Sequence, residues 1–582
     1  MKPNVHIGAR VRNLISEPIS IEEQVLAQGH PLTLDPEQLP GVEAADGTQP
    51  TIARSTAIMS VATTLSRMTG FVRTWTMAAA LGAGAIASAY NISNNIPNLI
   101  FELVVGGVLG SLFIPTFTDV KTEQGNDAAW RFTSHIFNLS VVVLGIVAVL
   151  GTLFPEPFIW TQTFKMSAAD ADVVRVPAQF LFRFFAVQVV IYGAGMVIQA
   201  VLNAQRKYIW TALGPVFNNL VVIATFVYVS LQPTLDRSSL IILGLGTTLG
   251  VVAMFAFMMP GLLKTGFRYH FELGINDPQV RLVLKLAAPA ILFAVTNMVT
   301  LSFRNSSVLA VSEQGASVLA YAWMWFTLPY GILAVALATA VFTELSHFSS
   351  RKDMNGFKTT MSRGLRSTVL LILPCAALLF ALAEPICSLF IAGRFSVEDM
   401  LLVSQALRIW SLGLVFYACM MFMLGAFYSL KDTATPAYVN LGWSVFQVIG
   451  YIVLTAGIGA WAGFGINGAP LADIIFYLIV FVTLVYLLRK KIGPFDLGSF
   501  LSLFIRMLLC SAVAGLVAWE ISGFLEGLRP GLIGSLIQVI GAGLAGLFVA
   551  FGLASLLRID EMSFVRKLVK RATGKKTKLY RE

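Results

Sequence analysis

Two membrane-length apolar stretches between Ser60 and Glu102 carry groups that are costly to place in hydrocarbon. The first holds Arg67 and Arg73; the second sets Ser88, Asn91, Asn95, Asn98 and Glu102 apart by 3, 4, 3 and 4 residues. On a helix that spacing makes one polar stripe. A charge at the centre of a spanning helix costs about 2.5–3.5 kcal/mol on the most forgiving scale, so such residues face a protein interior or a water-filled cavity. The two helices are therefore expected to line a polar, cationic chamber whose chemistry is anion binding. A guanidinium donates two hydrogen bonds in a fixed planar fork and stays charged, which suits phosphate or pyrophosphate. Six residues separate Arg67 from Arg73, roughly 240° beyond one full turn, so they do not share a narrow face. One is expected to point into the chamber while the other pairs locally or, for Arg73, snorkels to the outer interface. Glu102 reads as a counter-charge, a protonation site or half of a packing ion pair. Arg304, in the seventh apolar segment, is a third intramembrane cation assigned to the same chamber.

A second candidate constellation lies further on. Asp473, with Asn440 on the preceding apolar segment and Asn467 before it, offers oxygen ligands to a monovalent cation, although a closed hydrogen-bond network is the simpler reading. The five histidines are scattered without metal-ligand spacing, and Cys375, Cys387, Cys419 and Cys510 read as small buried hydrophobes. There is no phosphate-binding Gly-Lys-Ser/Thr loop and no nucleophile elbow. The chain is read as a transporter and not an enzyme, with no metal and no cofactor.

These residues need helices in a bilayer to position them. The 582-residue chain is 56% hydrophobic and 12% charged, beyond the range of ordinary soluble domains. Its mean hydropathy is +0.76. Apolar runs bounded by Gly, Pro and charge predict fourteen spanning helices, near 54–80, 86–118, 131–153, 173–204, 208–231, 238–263, 279–311, 316–348, 360–383, 399–429, 436–458, 466–488, 498–521 and 531–557. The fold class is all-α and polytopic. The net charge of +10 sits mainly in alternate loops and the tail, which argues for membrane topology and against nucleic acid. Arg206, Lys207, Lys264, Arg268, Arg351, Lys352, Lys431, Arg489, Lys490 and Lys491 follow even-numbered spans, so both termini are expected in the cytoplasm.

An internal repeat organises the spans. A shift of 232 residues lays Phe71 on Phe303 and Pro97 on Pro329, and AVLNAQRKY at 200–208 resembles AFYSLKDTA at 426–434. The expected organisation is a disordered cytoplasmic extension (1–50), two parallel six-helix lobes (51–265 and 275–490), helices thirteen and fourteen (495–558) and a basic cytoplasmic tail (559–582).

Several motifs in order carry a family resemblance. They are Ser66-Arg67-x-x-Gly70-Phe71-x-Arg73, Leu81-Gly82-Ala83-Gly84, Ile96-Pro97-Asn98-Leu99, Phe113-x-Pro115, Gly393-Arg394-Phe395 and Phe427-Tyr428-Ser429-x-x-Asp432-x-x-Thr435-Pro436. Together they resemble the MurJ (MviN) lipid II flippases of the multidrug, oligosaccharidyl-lipid and polysaccharide exporter superfamily. The resemblance implies two lobes around a cationic cavity, a lipid-tail groove on helices thirteen and fourteen, and transport of undecaprenyl-pyrophosphate-linked peptidoglycan precursor across the plasma membrane. By motif, Arg67 and Arg73 correspond to the family's first-helix arginines, whose implied role is to hold the pyrophosphate. Coupling to the membrane potential or a monovalent cation, and contact with membrane lipids and cytoplasmic cell-wall regulators, complete the expectation.

The sequence also departs from the pattern. Relatives carry acidic residues where this chain has Thr74 and Ser88, arginines at Phe101 and Glu102, a glutamate at Gly106 and an arginine near Met324; FELVVGGVLG instead looks like the actinobacterial branch. The positive charge of the chamber is thus left to Arg67, Arg73 and Arg304. An exporter of another polyprenyl-linked glycan or small molecule, and a non-transporting cell-wall scaffold, are the alternatives. A cationic-drug exporter would want acidic walls, and a scaffold has no use for intramembrane arginines.

Overall fold

The computed structural model describes residues 52–104, 113–526, 531–559 and 561–562, with backbone alone at 52–60, 101–104, 115, 168–170 and 284–293. The N-terminal extension, the Glu102 side chain and the basic tail from 563 onward lie outside the described residues. The helices in order are α1 (Ile52–Leu81), α2 (Ala85–Val104), α3 (Phe113–Gln124), α4 (Asn126–Leu153), α5 (Pro155–Thr163), α6 (Ala168–Ala204), α7 (Tyr208–Ser230), α8 (Arg237–Leu263) and α9 (Pro278–Leu309). There follow α10 (Gly315–Pro329), α11 (Val335–Ser350), α12 (Met354–Ala381), α13 (Ala383–Ser388), α14 (Val397–Ser429), α15 (Ala434–Ala456), α16 (Gly468–Ile492), α17 (Leu497–Glu526) and α18 (Leu532–Leu556). Among the described residues the only strand-like pairing is an isolated bridge between Ile458 and Trp461.

Eleven segments are long and apolar enough to cross a membrane. They fall on eleven of the fourteen expected spans, and the other three positions are filled by α1, α2 and α9. Those three carry the arginines and the asparagine stripe, and the same residues that suggest a site lower the apolarity of their helices. The protein is an all-α polytopic membrane protein. Boundaries differ in places. The second span was expected to run from 86 to 118; α2 is described to Val104 and α3 from Phe113, and 105–112 lie outside the described residues. The third span was expected to begin at 131, but α4 begins five residues earlier, at Asn126, so Arg131 lies inside it. The eighth span joins α10 to α11 through a π turn at Tyr330–Ala334. Pro329 explains it, because its ring removes a backbone donor and displaces the regular ladder.

The helices show how a lipid-facing surface is built. Along α18 the buried positions are Gly534, Gln538, Ala542, Gly546, Ala550 and Ala554, a four-residue period of mostly small side chains. Its large residues point outward, with Leu544 63% and Phe548 81% exposed. Against lipid there is no gain in burying leucine, so packing selects small residues at helix contacts and leaves the bulky ones outside.

Basic residues end four of the spans in one way. Arg206, Lys352, Lys431 and Arg558 are the non-glycine residues with positive φ among those described. At each, a pair of backbone hydrogen bonds closes the helix, as in Lys207 N to Leu202 O with Arg206 N to Asn203 O, and Asp432 N to Phe427 O with Lys431 N to Tyr428 O. A cation at a helix C-terminus offsets the negative end of the dipole, which compensates the left-handed backbone. The matching bonds pair Arg206 with Lys431, one position from the register read in the sequence.

Two compact units divide the described residues. The first comprises α1 to α9 with the start of α10 to Tyr321, joined by 392–399 and 448–466; the second comprises the remainder. In the first unit α1 packs on α7, α7 on α8, and α2 on α6. In the second, α17 packs on both α12 and α18.

The Gly393-Arg394-Phe395 motif has a structural cause within the first unit. Arg394 donates from Nη1 to the carbonyls of Ala80 (2.8 Å) and Val229 (3.2 Å), and from Nη2 to Gln232 O, so one guanidinium caps the ends of α1 and α7. Gly393 has φ +58, and a Cβ there would lie 2.3 Å from Ala79 O. Gly393→Ala is expected to lower the melting temperature of the purified protein, since the left-handed residue alone costs about 1–2 kcal/mol and the clash adds to it. An unchanged melting curve would contradict this account.

Candidate substrate site

Every candidate on α1, α2 and α9 falls in the first unit. α1 is fixed against α7 by Asn219, whose Nδ2 donates to Ser66 O (3.2 Å) and Thr69 Oγ1 (3.0 Å). That face uses Ser66 and Thr69 of the first-helix motif and leaves the arginines to other directions. Arg67 is exposed and Arg73 half-buried. Tyr90 and Tyr192, both buried, interact electrostatically with Arg73. The two arginines thus occupy different surroundings, as their angular separation requires.

The stripe on α2 divides in two. Asn91, Asn95 and Asn98 are half-buried. Asn91 and Asn98 donate back into their own helix, to Ala87 O and Asn94 O, each at 3.0 Å. Ser88 is completely buried, its hydroxyl 3.2 Å from that of Ser317. Ser317 in turn donates to Ala83 O at 2.5 Å. Around it the turn from α1 to α2 is held by Tyr321, whose hydroxyl donates to Gly82 O (2.8 Å), and by Asp399, which accepts from Ala83 N (3.3 Å). The Leu81-Gly82-Ala83-Gly84 motif is therefore a docked turn, and Ser88 closes it.

Arg304 on α9 is half-buried, and its Nε is enclosed without a hydrogen-bond partner among the described residues. α2 packs against α9 and against α1. Among the described residues, Arg67, Arg73 and Arg304 form no ion pair. Sequence reasoning missed Tyr90, Tyr192 and Ser317. Tyr90 adjoins the stripe and could have been found by extending it; Tyr192 and Ser317 carry no local signal.

In the second unit Asp473 is buried at 1% exposure and accepts from Trp410 Nε1 (2.9 Å) and Gln447 Nε2 (2.8 Å). Asn440 lies on α15, two turns before Gln447. Asp432 caps the start of that helix, accepting from Thr435 N (3.0 Å), Thr435 Oγ1 (2.8 Å) and Lys491 Nζ (2.5 Å). Partial burial works to raise the Asp432 pKa, but the hydrogen bonds from Lys491 and Thr435 outweigh it and hold the carboxyl below its ordinary value. A depressed folded pKa gives stability that is full above the unfolded value, about 4, and lost as pH falls through the folded one. Lys491→Ala is expected to move the Asp432 titration upward, read by carboxyl ¹³C NMR; an unmoved titration would show that Thr435 alone sets it.

The model of the lipid II flippase MurJ family matches residues 77–539 of the chain. The chain belongs to the MurJ family. The probable lipid II flippase MurJ of Rhizobium meliloti (strain 1021) is 30% identical over 395 residues, covering 66% of this chain and 72% of that protein. That of Vibrio cholerae serotype O1 is 28% identical over 524 residues, covering 87% and 96%. A solved lipid II flippase MurJ in an inward closed conformation superposes with a TM-score of 0.70 at 22% identity, over 87% of this chain and all of that one. An inward-facing multidrug resistance transporter of the MATE family follows with a TM-score of 0.60 at 15% identity, over 75% and 98%. These structural likenesses establish the fold that MurJ proteins share with MATE transporters. Membership of the MurJ family places the chain among multi-pass proteins of the bacterial plasma membrane.

Proposed function

We propose that the chain carries lipid II, the undecaprenyl-pyrophosphate-linked peptidoglycan precursor, from the inner to the outer leaflet by alternating access. The observation that carries this reading is the set of arginines Arg67, Arg73 and Arg304, which make no ion pair among the described residues, on spanning helices of a MurJ-family chain. A pyrophosphate cannot cross hydrocarbon uncompensated, while its polyprenyl tail can stay in lipid. Fixed guanidiniums supply the compensation. In this reading Asn91, Asn95, Asn98 and Glu102 line the headgroup path, with Ser88 at its closed end. Lobes at 51–265 and 275–490, a tail groove on 495–558 and cytoplasmic termini belong to the same proposal. Coupling to the membrane potential, or to a monovalent cation at Asn440 and Asp473, belongs there too.

The test is an assay of externally accessible lipid II in bacteria depleted of their own flippase. Expression of this chain is expected to restore it. Correct insertion without restoration would transfer the assignment to another polyprenyl-linked cargo.

A further inference from the structure

In the first unit the strap that joins α8 to α9, residues 264–277, lies across α4, and a buried histidine holds it there. Ser134 Oγ accepts from His270 N (3.0 Å), and Asn138 Nδ2 donates to the carbonyls of His270 (3.0 Å) and Glu272 (2.8 Å). On the same helix His135 is 8% exposed. Its Nδ1 is 2.9 Å from Asp277 Oδ2 and its Nε2 is 3.3 Å from Glu272 Oε2. Gly274 closes over the ring: it has φ +58, and a Cβ there would fall 2.1 Å from His135 Cγ. Asp277 keeps its other oxygen on Gln279 N (2.9 Å), so the same carboxylate starts α9, the helix that carries Arg304.

A neutral ring cannot make both contacts as hydrogen bonds. An ionised carboxylate only accepts, and a neutral imidazole has one N–H and one lone pair. It can serve Asp277 or Glu272, but it turns its lone pair on the other. The imidazolium donates to both, and its charge strengthens each bond. Histidine is the side chain that changes charge between pH 5 and 8.

The other charged groups nearby have different partners. α3, α5, α6 and α9 pack against α4. On α4 itself Asp127 pairs with Arg268 of the strap at 3.8 Å, and Arg131 makes no ion pair among the described residues. Arg281 of α9 donates to Ile275 O and Asn276 Oδ1, and Lys121 of α3, whose acidic groups are Asp119 and Glu123, reaches Gln205 Oε1. Glu156 of α5 and Asp172, Arg175 and Arg183 of α6 belong to the far end of α4, where Thr152 donates to Arg183 O. On the strap, His270 Nδ1 is buried without a hydrogen-bond partner among the described residues.

We propose that His135 is a proton-operated latch, which as the imidazolium clamps the strap and the first turn of α9 onto α4 and loosens them when it loses its proton. The full chain in phosphatidylglycerol nanodiscs is followed by hydrogen exchange and mass spectrometry at about pH 6 and about pH 8.5, either side of the histidine range. Labelling times are scaled for the intrinsic base-catalysed rate. Protection of the peptide spanning 268–281 is expected to fall about tenfold at the higher pH, for the loss of one charge-assisted hydrogen bond. His135→Gln, neutral at both pH values, should show no such step. Glu272→Gln and Asp277→Asn should each shrink it. Asp277→Asn should do so more, because Asp277 is the closer and less exposed partner, 21% against 62%, while asparagine keeps the cap on Gln279 N. The carboxylate variants carry the test if His135→Gln does not fold. His270→Gln, which removes the neighbouring imidazole, should keep the full step. Protection that is independent of pH in the parent overturns the latch. A step that survives in His135→Gln, or vanishes in His270→Gln, assigns the sensing to another group and overturns it as well.

Discussion

Arg73→Ala is expected to reduce externally accessible lipid II at least tenfold in flippase-depleted cells, at equal membrane abundance of the two proteins. Hydrogen bonds to a charged group contribute about 1.5–3 kcal/mol, and losing the fork removes two of them together with the charge. Arg73 is the more consequential of the two first-helix arginines because it is half-buried beside Tyr90 and Tyr192, where solvent screens it less than the exposed Arg67. Arg73→Lys keeps the charge on a flexible stem and loses the planar geometry, so it should fall between the two. Full restoration by Arg73→Ala would remove this residue from the mechanism while leaving transport itself intact. The comparison also separates a transporter from a scaffold, which would work equally well without the charge.

The second large effect concerns folding. Asp473→Ala strips the acceptor from Trp410 Nε1 and Gln447 Nε2, both within a buried network. Each orphaned donor costs about 1–3 kcal/mol. A markedly lower melting temperature is therefore expected in detergent, with a smaller loss for Asp473→Asn, which retains one acceptor oxygen. Measuring both with and without sodium decides between the two readings of this carboxylate. A network residue loses stability in either buffer. If Asp473→Asn melts like the parent without sodium and loses only a sodium-dependent rise, the carboxylate is a cation ligand.

Arg67 and Arg73 illustrate how far a sequence reaches. Their six-residue separation already required different surroundings, because helical geometry is local and periodic. What surrounds each came from elsewhere in the chain: Tyr192 lies on α6, and the Asn219 that anchors Ser66 and Thr69 lies on α7. Ser88 marks the limit of the stripe. It shares a face with Asn91 and Asn95, yet Ser317 closes over it, a contact across 229 residues that no spacing rule encodes.

The sequence by itself determined the membrane class and the positions of the spans, and it singled out the intramembrane polar residues proposed to meet the headgroup. Hydrocarbon forces every backbone group into a helix and makes each intramembrane charge conspicuous. The tertiary structure alone decided that Gly393-Arg394-Phe395 caps α1 and α7, that Asp473 is shared by Trp410 and Gln447, and that Asp277 and Glu272 bracket His135. Those facts depend on which helix ends meet, and helix packing in a membrane is set by small-residue contacts and long-range hydrogen bonds that leave no periodic trace in the chain.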